Sequence, residues 1–471
     1  MILISFLACL ALFIAIGVLS VLKKQATEHD YLLASQNIKP SLAALSAVAT
    51  TNSGYMFVGQ IGFTYLYGLH SIWLMIGWIL GDFITSLFVH KRLRMTSESR
   101  DAKSFVAAIA SWHGHHYKYL RLIGGIITIL FLGTYAAAQL NAGSKALHVL
   151  FGWDYSVGAI IGAVIVLVYC FAGGIRASIW TDVAQSIVMF FAMILMLFVV
   201  VIELGGLGNV YSGLMNISAD YMNVFPATPT IFDGVPFGFG IGALLFVLGW
   251  FFAGVGVVGQ PHIMVRFMTM NNPSDITRAR FYYYGFYTTF YVMTIAVALC
   301  ARLLIPETDG FDAELALPTL AIELLPEILV GLILAGLFAA TMSTADSQIL
   351  CCSASITNDI APNRFSGYIA NKIATVVVTV IALTIALAGP DSVFSLVLIA
   401  WSALSACFAP LIIAMACKQD VSERLSIMMM LGGLVAMMAW RFAGLNDITY
   451  EVAPGIVAGF IILGIGKLLR L

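Results

Sequence analysis

The feature that most constrains this chain is a succession of apolar stretches, each about long enough to cross a bilayer, repeated from one end to the other. They lie at 1–22, 41–68, 71–89, 119–148, 155–174, 178–203, 236–264, 281–305, 323–352, 366–388, 392–416, 426–443 and 452–469. A hydrocarbon core roughly 30 Å thick takes about 20 apolar residues per helix. Only helices and closed barrels satisfy every backbone polar group in lipid. The expectation is an all-α, multi-span membrane protein with about thirteen transmembrane helices. Composition excludes the soluble alternative. Of the 471 residues 61% are hydrophobic and 10% charged, whereas soluble domains carry about 25% charged residues. The surplus apolar surface has to face lipid.

The first stretch, Met1 to Leu22, lacks a basic n-region and is too long for a signal peptide. Lys23 and Lys24 follow it directly, which marks a first helix with its N-terminus outside. Lys and Arg collect on the cytoplasmic side of membrane proteins. This orientation puts Lys23/Lys24, Lys91/Arg92/Arg94, Arg176, Arg266/Arg278/Arg280, Lys418/Arg424 and Lys467/Arg470 inside. Only Lys145, Arg302 and Arg441 stay outside, and the C-terminus is cytoplasmic. The expected location is the plasma (inner) membrane. A net charge of -1 gives no sign of nucleic acid as a partner. The cysteines include no CxxC pair and read as small apolar packers. His113, His115 and His116 fall in 102–118, which reads as an interfacial amphipathic helix in preference to a metal site.

Stretches two to six and seven to eleven make two sets of five, and an odd number in each forces opposite orientations. Inverted repeats of this kind are a transporter architecture in which discontinuous helices carry the binding site. The division expected is 1–40 as an extra helix and linker and 41–203 as the first repeat. An extracytoplasmic loop follows at 204–235, then the inverted second repeat at 236–416 and two extra helices at 417–471. The second stretch carries Ala49-Thr50-Thr51-Asn52-Ser53-Gly54 in mid-span, a small, polar run of poor helix formers. The seventh carries Gly238, Gly240, Gly242, Gly249, Gly254, Gly256 and Gly259.

Polar residues inside a bilayer are expensive, so each needs a partner or a task. In the ninth stretch Ala340, Ser343, Thr344 and Ser347 share one helical face. Hydroxyls in a span often bond back to the preceding turn, but here two adjacent ones face the side where a broken helix is expected. With unwound carbonyls they would supply the close oxygens a sodium ion needs. Asp346 lies about 110° from that face. It has two readings, a second cation ligand or a partner for another polar group toward the cytoplasmic end. Asp182, followed on its face by Gln185 and Ser186, reads as functional. Asp82 reads as structural, paired with Arg92 or Arg94.

At these residues the chain resembles the sodium:solute symporter family. YCFAGGIRASIWTD at 169–182, GQPHIMVRF at 259–267, ATMSTADSQ at 340–348 and LSAVATTNSG at 45–54 carry the resemblance, in order and across most of the sequence. It implies a LeuT-like five-plus-five inverted repeat whose first helices are discontinuous. It also implies a sodium site between the second and ninth helices, held by the carbonyls of Ala49, Asn52 and Ala340 and the hydroxyls of Ser343 and Thr344. Asp182 matches an acid that in some members belongs to a second sodium site. The sodium/proline branch is nearest, yet Thr51 stands where that branch has Asp, Ala253 where it has Trp and Val257 where it has Tyr. Tyr135 matches a family tyrosine.

The function expected is sodium-coupled symport of a small organic solute, an amino acid or small carboxylate, by alternating access. The solute would meet Thr51, Ser53, Tyr55, Tyr135, Gln139 and Trp250. A transporter-like receptor and a proton-coupled carrier using Asp182 or Asp346 are the alternatives. No nucleophile–base constellation or phosphate loop supports an enzyme.

Overall fold

The computed structural model describes residues 1–225, 238–306, 311–362, 364–388 and 393–470. The main helices are α1 (Ile2–Leu19), α2 (Pro40–Gly54), α3 (Gln60–Tyr67), α4 (Ile72–Ser99), α5 (Lys118–Phe151), α6 (Tyr155–Glu203) and α7 (Gly238–Val255). They continue with α8 (Pro261–Met268), α9 (Ile276–Leu304), α10 (Glu327–Ala354), α11 (Tyr368–Ala388), α12 (Val393–Ala416), α13 (Glu423–Phe442) and α14 (Val452–Leu468). Among the described residues there is no strand, only an isolated bridge between Ile38 and Met270.

Among the described residues, ten segments are long and apolar enough to cross a membrane. The difference from thirteen has a physical reason. Pro40–Ser99 and Tyr155–Glu203 each run on without an intervening loop, at 60 and 49 residues, and Val452–Leu468 is a shorter apolar helix. A straight helix of 49 residues would be about 74 Å long, more than twice the hydrocarbon thickness. It is instead broken at Gly174 (φ 57, ψ -142). The notch receives the short helix Glu28–Leu33, whose Tyr31 carbonyl lies 2.4 Å from where a Cβ on Gly174 would sit. Arg176 holds the same corner by pairing with Asp30 and donating to the Ala34 carbonyl.

α10 is the centre of the bundle. In its most apolar window 83% of residues are buried, against 22% for α1 and 33% for α13. Without a hydrophobic drive between helices in lipid, packing depends on small residues that let backbones approach. α4 and α7 show this at Gly254, where a Cβ would meet the Trp78 carbonyl at 2.0 Å. The large exposed side chains, such as Leu130, Phe191, Phe198 and Ile202, are the surface lipid would cover.

Two helices are interrupted in mid-span. α2 ends where Ser53 turns to φ 46, ψ 179, and a wide turn over Tyr55–Gly59 leads into α3. α7 gives way to a tight turn at Gly256–Gly259 and an extended Gln260, after which Pro261 opens α8. Proline fits a first helical position because it has no N–H to leave unpaired. The segment at 102–118 differs from its reading: its helix, Phe105–Ala110, is entirely buried, not interfacial. His113 and His115 lie against the Gln419 carbonyl and Asp420. Of the loop at 204–235, residues 226–235 lie outside the described residues. The remainder docks on α3, with the Tyr221 hydroxyl donating to the carbonyls of Thr64 and Tyr65.

Gly174→Ala combines a strained backbone with a clash, so it should lower the stability of the purified protein by about 1–3 kcal/mol. A thermal melt in detergent measures it. Gly133→Ala, with nothing within 4 Å of its added methyl, should leave the midpoint unchanged.

Candidate functional site

The break in α2 leaves backbone groups unpaired in the middle of the protein, and the neighbouring helices answer them. Gln139 of α5 accepts the Gly54 N–H at 2.8 Å, and the Ser53 hydroxyl accepts the Tyr55 N–H at 3.0 Å. On the other side α10 presents its two adjacent hydroxyls. Ser343 donates to the Ala49 and Ala340 carbonyls, each at 3.1 Å. Thr344 donates to the Thr50 carbonyl at 2.9 Å and to the Ala340 carbonyl at 3.1 Å. Five neutral oxygens from two helices thus converge, with no nitrogen and no carboxylate among them. An all-oxygen set suits a hard cation.

One expected ligand stands apart from the oxygens that these hydroxyls meet. The Asn52 carbonyl accepts the Tyr55 N–H, and its buried side-chain amide has no partner. The Thr50 carbonyl stands in the cluster instead. A carbonyl's direction depends on where the helix unwinds, and no residue type in the sequence reports it.

One turn further along α10, a buried ionic cluster joins two more helices, α6 and α8. Arg266 of α8 is 0% exposed, although its charge reads in the sequence as a marker of the cytoplasmic surface. Its Nη2 lies 3.2 Å from Asp182 of α6 and 3.4 Å from Asp346 of α10, and it also donates to the hydroxyls of Ser178 and Ser347. Asp346 accepts from Tyr169 and Ser178, both at 2.7 Å, and from Ser347 at 2.9 Å. Of its two readings, the geometry supports the partner of another polar group. Asp182 accepts from Ser46 of α2 at 2.5 Å, but its second oxygen has no partner. Thr50 and Ser347 share a hydrogen bond of 3.0 Å, which ties this cluster to the oxygen set. Two acids face one base, leaving a formal deficit of one positive charge.

The residues expected around the solute divide into two groups. Thr51 bonds to the Ala47 carbonyl at 2.7 Å and to the Tyr283 hydroxyl at 3.2 Å. Thr51, Ser53 and Oε1 of Gln139 are therefore engaged in holding α2, while Nε2 of Gln139 has no partner. Tyr55, Tyr135 and Trp250 line an aromatic region. Tyr55 packs on Trp78 at 5.8 Å, and Trp250 stacks on Trp78 at 6.1 Å and lies 5.1 Å from Tyr450. Tyr135 meets His262 edge-on at 5.6 Å. Trp78, Trp401 and Tyr450 complete this region and were not anticipated. Tyr450 comes from 417–471, a segment outside both expected repeats. Asp82 also departs from its reading: Arg94 bonds to the Met270 carbonyl at 2.6 Å and pairs with Glu98 at 3.0 Å, not with Asp82.

Removing one partner from a buried ion cluster leaves uncompensated charge. Arg266→Gln should cost about 3–5 kcal/mol of stability. Adding Asp346→Asn to the same chain should recover part of that loss. Melting midpoints of the two variants test the coupling, and equal midpoints would contradict it.

Comparison with known proteins bears on the family and the fold. The chain is 29% identical over 450 residues to the high-affinity proline transporter PutP of Bacillus subtilis, covering 93% of this chain and 92% of that protein. A sodium/proline symporter of Staphylococcus aureus is also 29% identical, over 472 residues, covering 96% and 89%. Among solved structures, a sodium-coupled sialic acid symporter in a substrate-bound outward-open state superposes with a TM-score of 0.83 at 18% identity, covering 99% of this chain and 97% of its own. A nucleobase-cation-symport-1 family transporter matches with a TM-score of 0.57 at 15% identity, covering 93% and 95%. The fold is LeuT-like. The model of one family matches residues 31–436, and the chain belongs to that sodium:solute symporter family, as a transporter and not an enzyme.

Proposed function

We propose that this chain carries a small organic solute across the plasma (inner) membrane together with sodium, by alternating access of two inverted five-helix repeats at 41–203 and 236–416. On this reading the long segments Pro40–Ser99 and Tyr155–Glu203 each cross twice, α14 crosses once, and thirteen passes result with the N-terminus outside. The observation that carries the proposal is the contact of α2 with α10. Five neutral oxygens, those of Ala49, Thr50, Ala340, Ser343 and Thr344, meet across the break of one helix and the buried face of the other.

Sodium entering this set takes the lone pairs of the two hydroxyls and the carbonyls they now cap. It draws α2 onto α10, and its departure to a low-sodium cytoplasm loosens that contact. The membrane potential adds about 2.3 kcal/mol per charge per 100 mV. Asp182, with one oxygen unpartnered beside a cluster short of one positive charge, is the place for a second sodium ion. Coupling by sodium is supported by the relatives, since both the Staphylococcus protein and the sialic acid symporter are sodium-dependent by description.

The solute binds beside the break, against Tyr55, Tyr135 and Trp250, with Trp78 and Tyr450 closing the aromatic wall. An amino acid or small carboxylate is favoured, because the exposed ends of half-helices recognise such polar termini. The substitutions at Thr51, Ala253 and Val257 argue for a solute other than proline.

Replacing both hydroxyls, Ser343→Ala with Thr344→Ala, removes two of five oxygens. The sodium concentration for half-maximal uptake into proteoliposomes should rise roughly tenfold or more, tenfold being about 1.4 kcal/mol. An unchanged sodium dependence in the double variant would remove the assignment.

A further inference from the structure

One face of α4 carries a row of polar side chains of which only Trp78 enters the solute reading. Trp78, Asp82, Ser86, His90 and Arg94 recur every four residues, which aligns them along one side of a helix. None is more than 3% exposed. Neither oxygen of Asp82 has a hydrogen-bond partner, and the same holds for both ring nitrogens of His90 and for Trp78 Nε1. Buried polar groups are normally paired, as Ser86 is with the Phe83 carbonyl and Arg94 with Met270 and Glu98, so three unpaired ones on the same face call for a reason.

The groups that face Asp82 directly are neutral, and the Arg280 guanidinium reaches Tyr284, one of them. From α9 the phenols of Tyr283 and Tyr284 face Asp82, and Tyr287 lies beyond them. The Tyr284 hydroxyl is itself unpartnered. One residue earlier α4 touches α7 by its backbone, where a Cβ on Gly81 would meet the Phe251 carbonyl. From α8, Phe267 lies flat on His90 at 3.9 Å, while Arg266 is turned to Asp182 and Asp346. From α12, Trp401 packs on Trp78 at 4.6 Å. On α4 itself Arg94 is bound to Met270 and Glu98. Arg280 of α9 lies toward His90. An ionised carboxylate so placed in the membrane interior, without a cation, is strongly disfavoured. A proton relieves it and needs no cavity.

We propose that Asp82 is a proton-binding site, and that Tyr284, Ser86 and His90 relay its proton to the inner end of α4. His90 is about 12 Å from Asp82 along the helix axis, too far for a direct hop, and the relay spans that gap. Tyr284 faces both Asp82 and Ser86. The carboxylic acid gives its proton to this chain and becomes a carboxylate. His90 takes the proton and becomes an imidazolium, and the reverse path reloads the acid. No electrons move. The Tyr283 hydroxyl, 3.2 Å from Thr51, connects the acid to the α2 break, so the charge on Asp82 acts where that helix unwinds. A proton thereby joins the transport cycle. The proposal does not depend on the sodium ligands.

The test uses the full chain reconstituted in liposomes without added solute, read by infrared difference spectra between alkaline and neutral pH. A carboxylic-acid carbonyl band should be gained at neutral pH in the wild type, be missing in Asp82→Asn and persist in Asp182→Asn. Asp82→Glu, which keeps an acid in the same row, should retain a band at a shifted frequency, and this covers a misfolded Asn variant. His90→Gln should keep the band but slow its appearance after a pH jump by roughly tenfold or more. A spectrum in which neither Asp82 variant differs from wild type overturns the site. Loss of the band on adding sodium chloride at fixed pH would make Asp82 a cation ligand instead. Wild-type kinetics in His90→Gln would remove the relay.

Discussion

The structure depends on one constraint, that a helix opened inside a membrane protein must have its freed backbone groups met by side chains. No bulk water is present in the hydrocarbon region to meet them. The turn at Ser53 frees the N–H of Gly54 and the carbonyls of Ala49 and Thr50. Gln139 takes the first, while Ser343 and Thr344 take the other two. Three helices are thereby tied to the single point where α2 unwinds. On the proposed reading, the groups that make the break tolerable are the ones a cation would exchange for its own contacts.

The ionic cluster beside it follows the same logic with charge. Arg266, Asp182 and Asp346 come from three helices distant in sequence, and each would be costly alone in the membrane interior. Together with Ser46, Ser178, Ser347 and Tyr169 they form a network that reaches α2 twice, through Ser46 and through the Thr50–Ser347 bond. A change in charge at Asp182 is therefore felt at the oxygen set without any long-range device. Asp82 lies on the other side of α2, reached through Tyr283 and Thr51. The broken helix stands between two buried acidic regions, one with a cation and one without.

Much of this was legible in the sequence for identifiable reasons. The small polar run from Ala49 to Gly54 in a span marks the break, because poor helix formers are not otherwise placed there. Ser343 and Thr344 announce themselves by their periodicity with Ala340. Other features were not legible. Arg266 looks like any basic residue counted for topology, since its charge reads identically at a surface and in a core. The Thr50 carbonyl and the role of Gln139 depend on backbone direction at the turn. Tyr450 joins the aromatic wall from a segment that follows both repeats, and no local pattern connects it to Trp250.

What the sequence determined by itself is the class of solution. The recurrence of spanning apolar stretches demands helices in lipid, and the rarity of polar residues within them makes each one conspicuous. What only the tertiary structure decided is which of those polar groups meet. Hydroxyl, carbonyl and carboxylate act over about 3 Å, and that proximity is created by helices that approach through their small residues. Pairing is thus a property of how the bundle packs, and composition along a single helix carries no record of its neighbour.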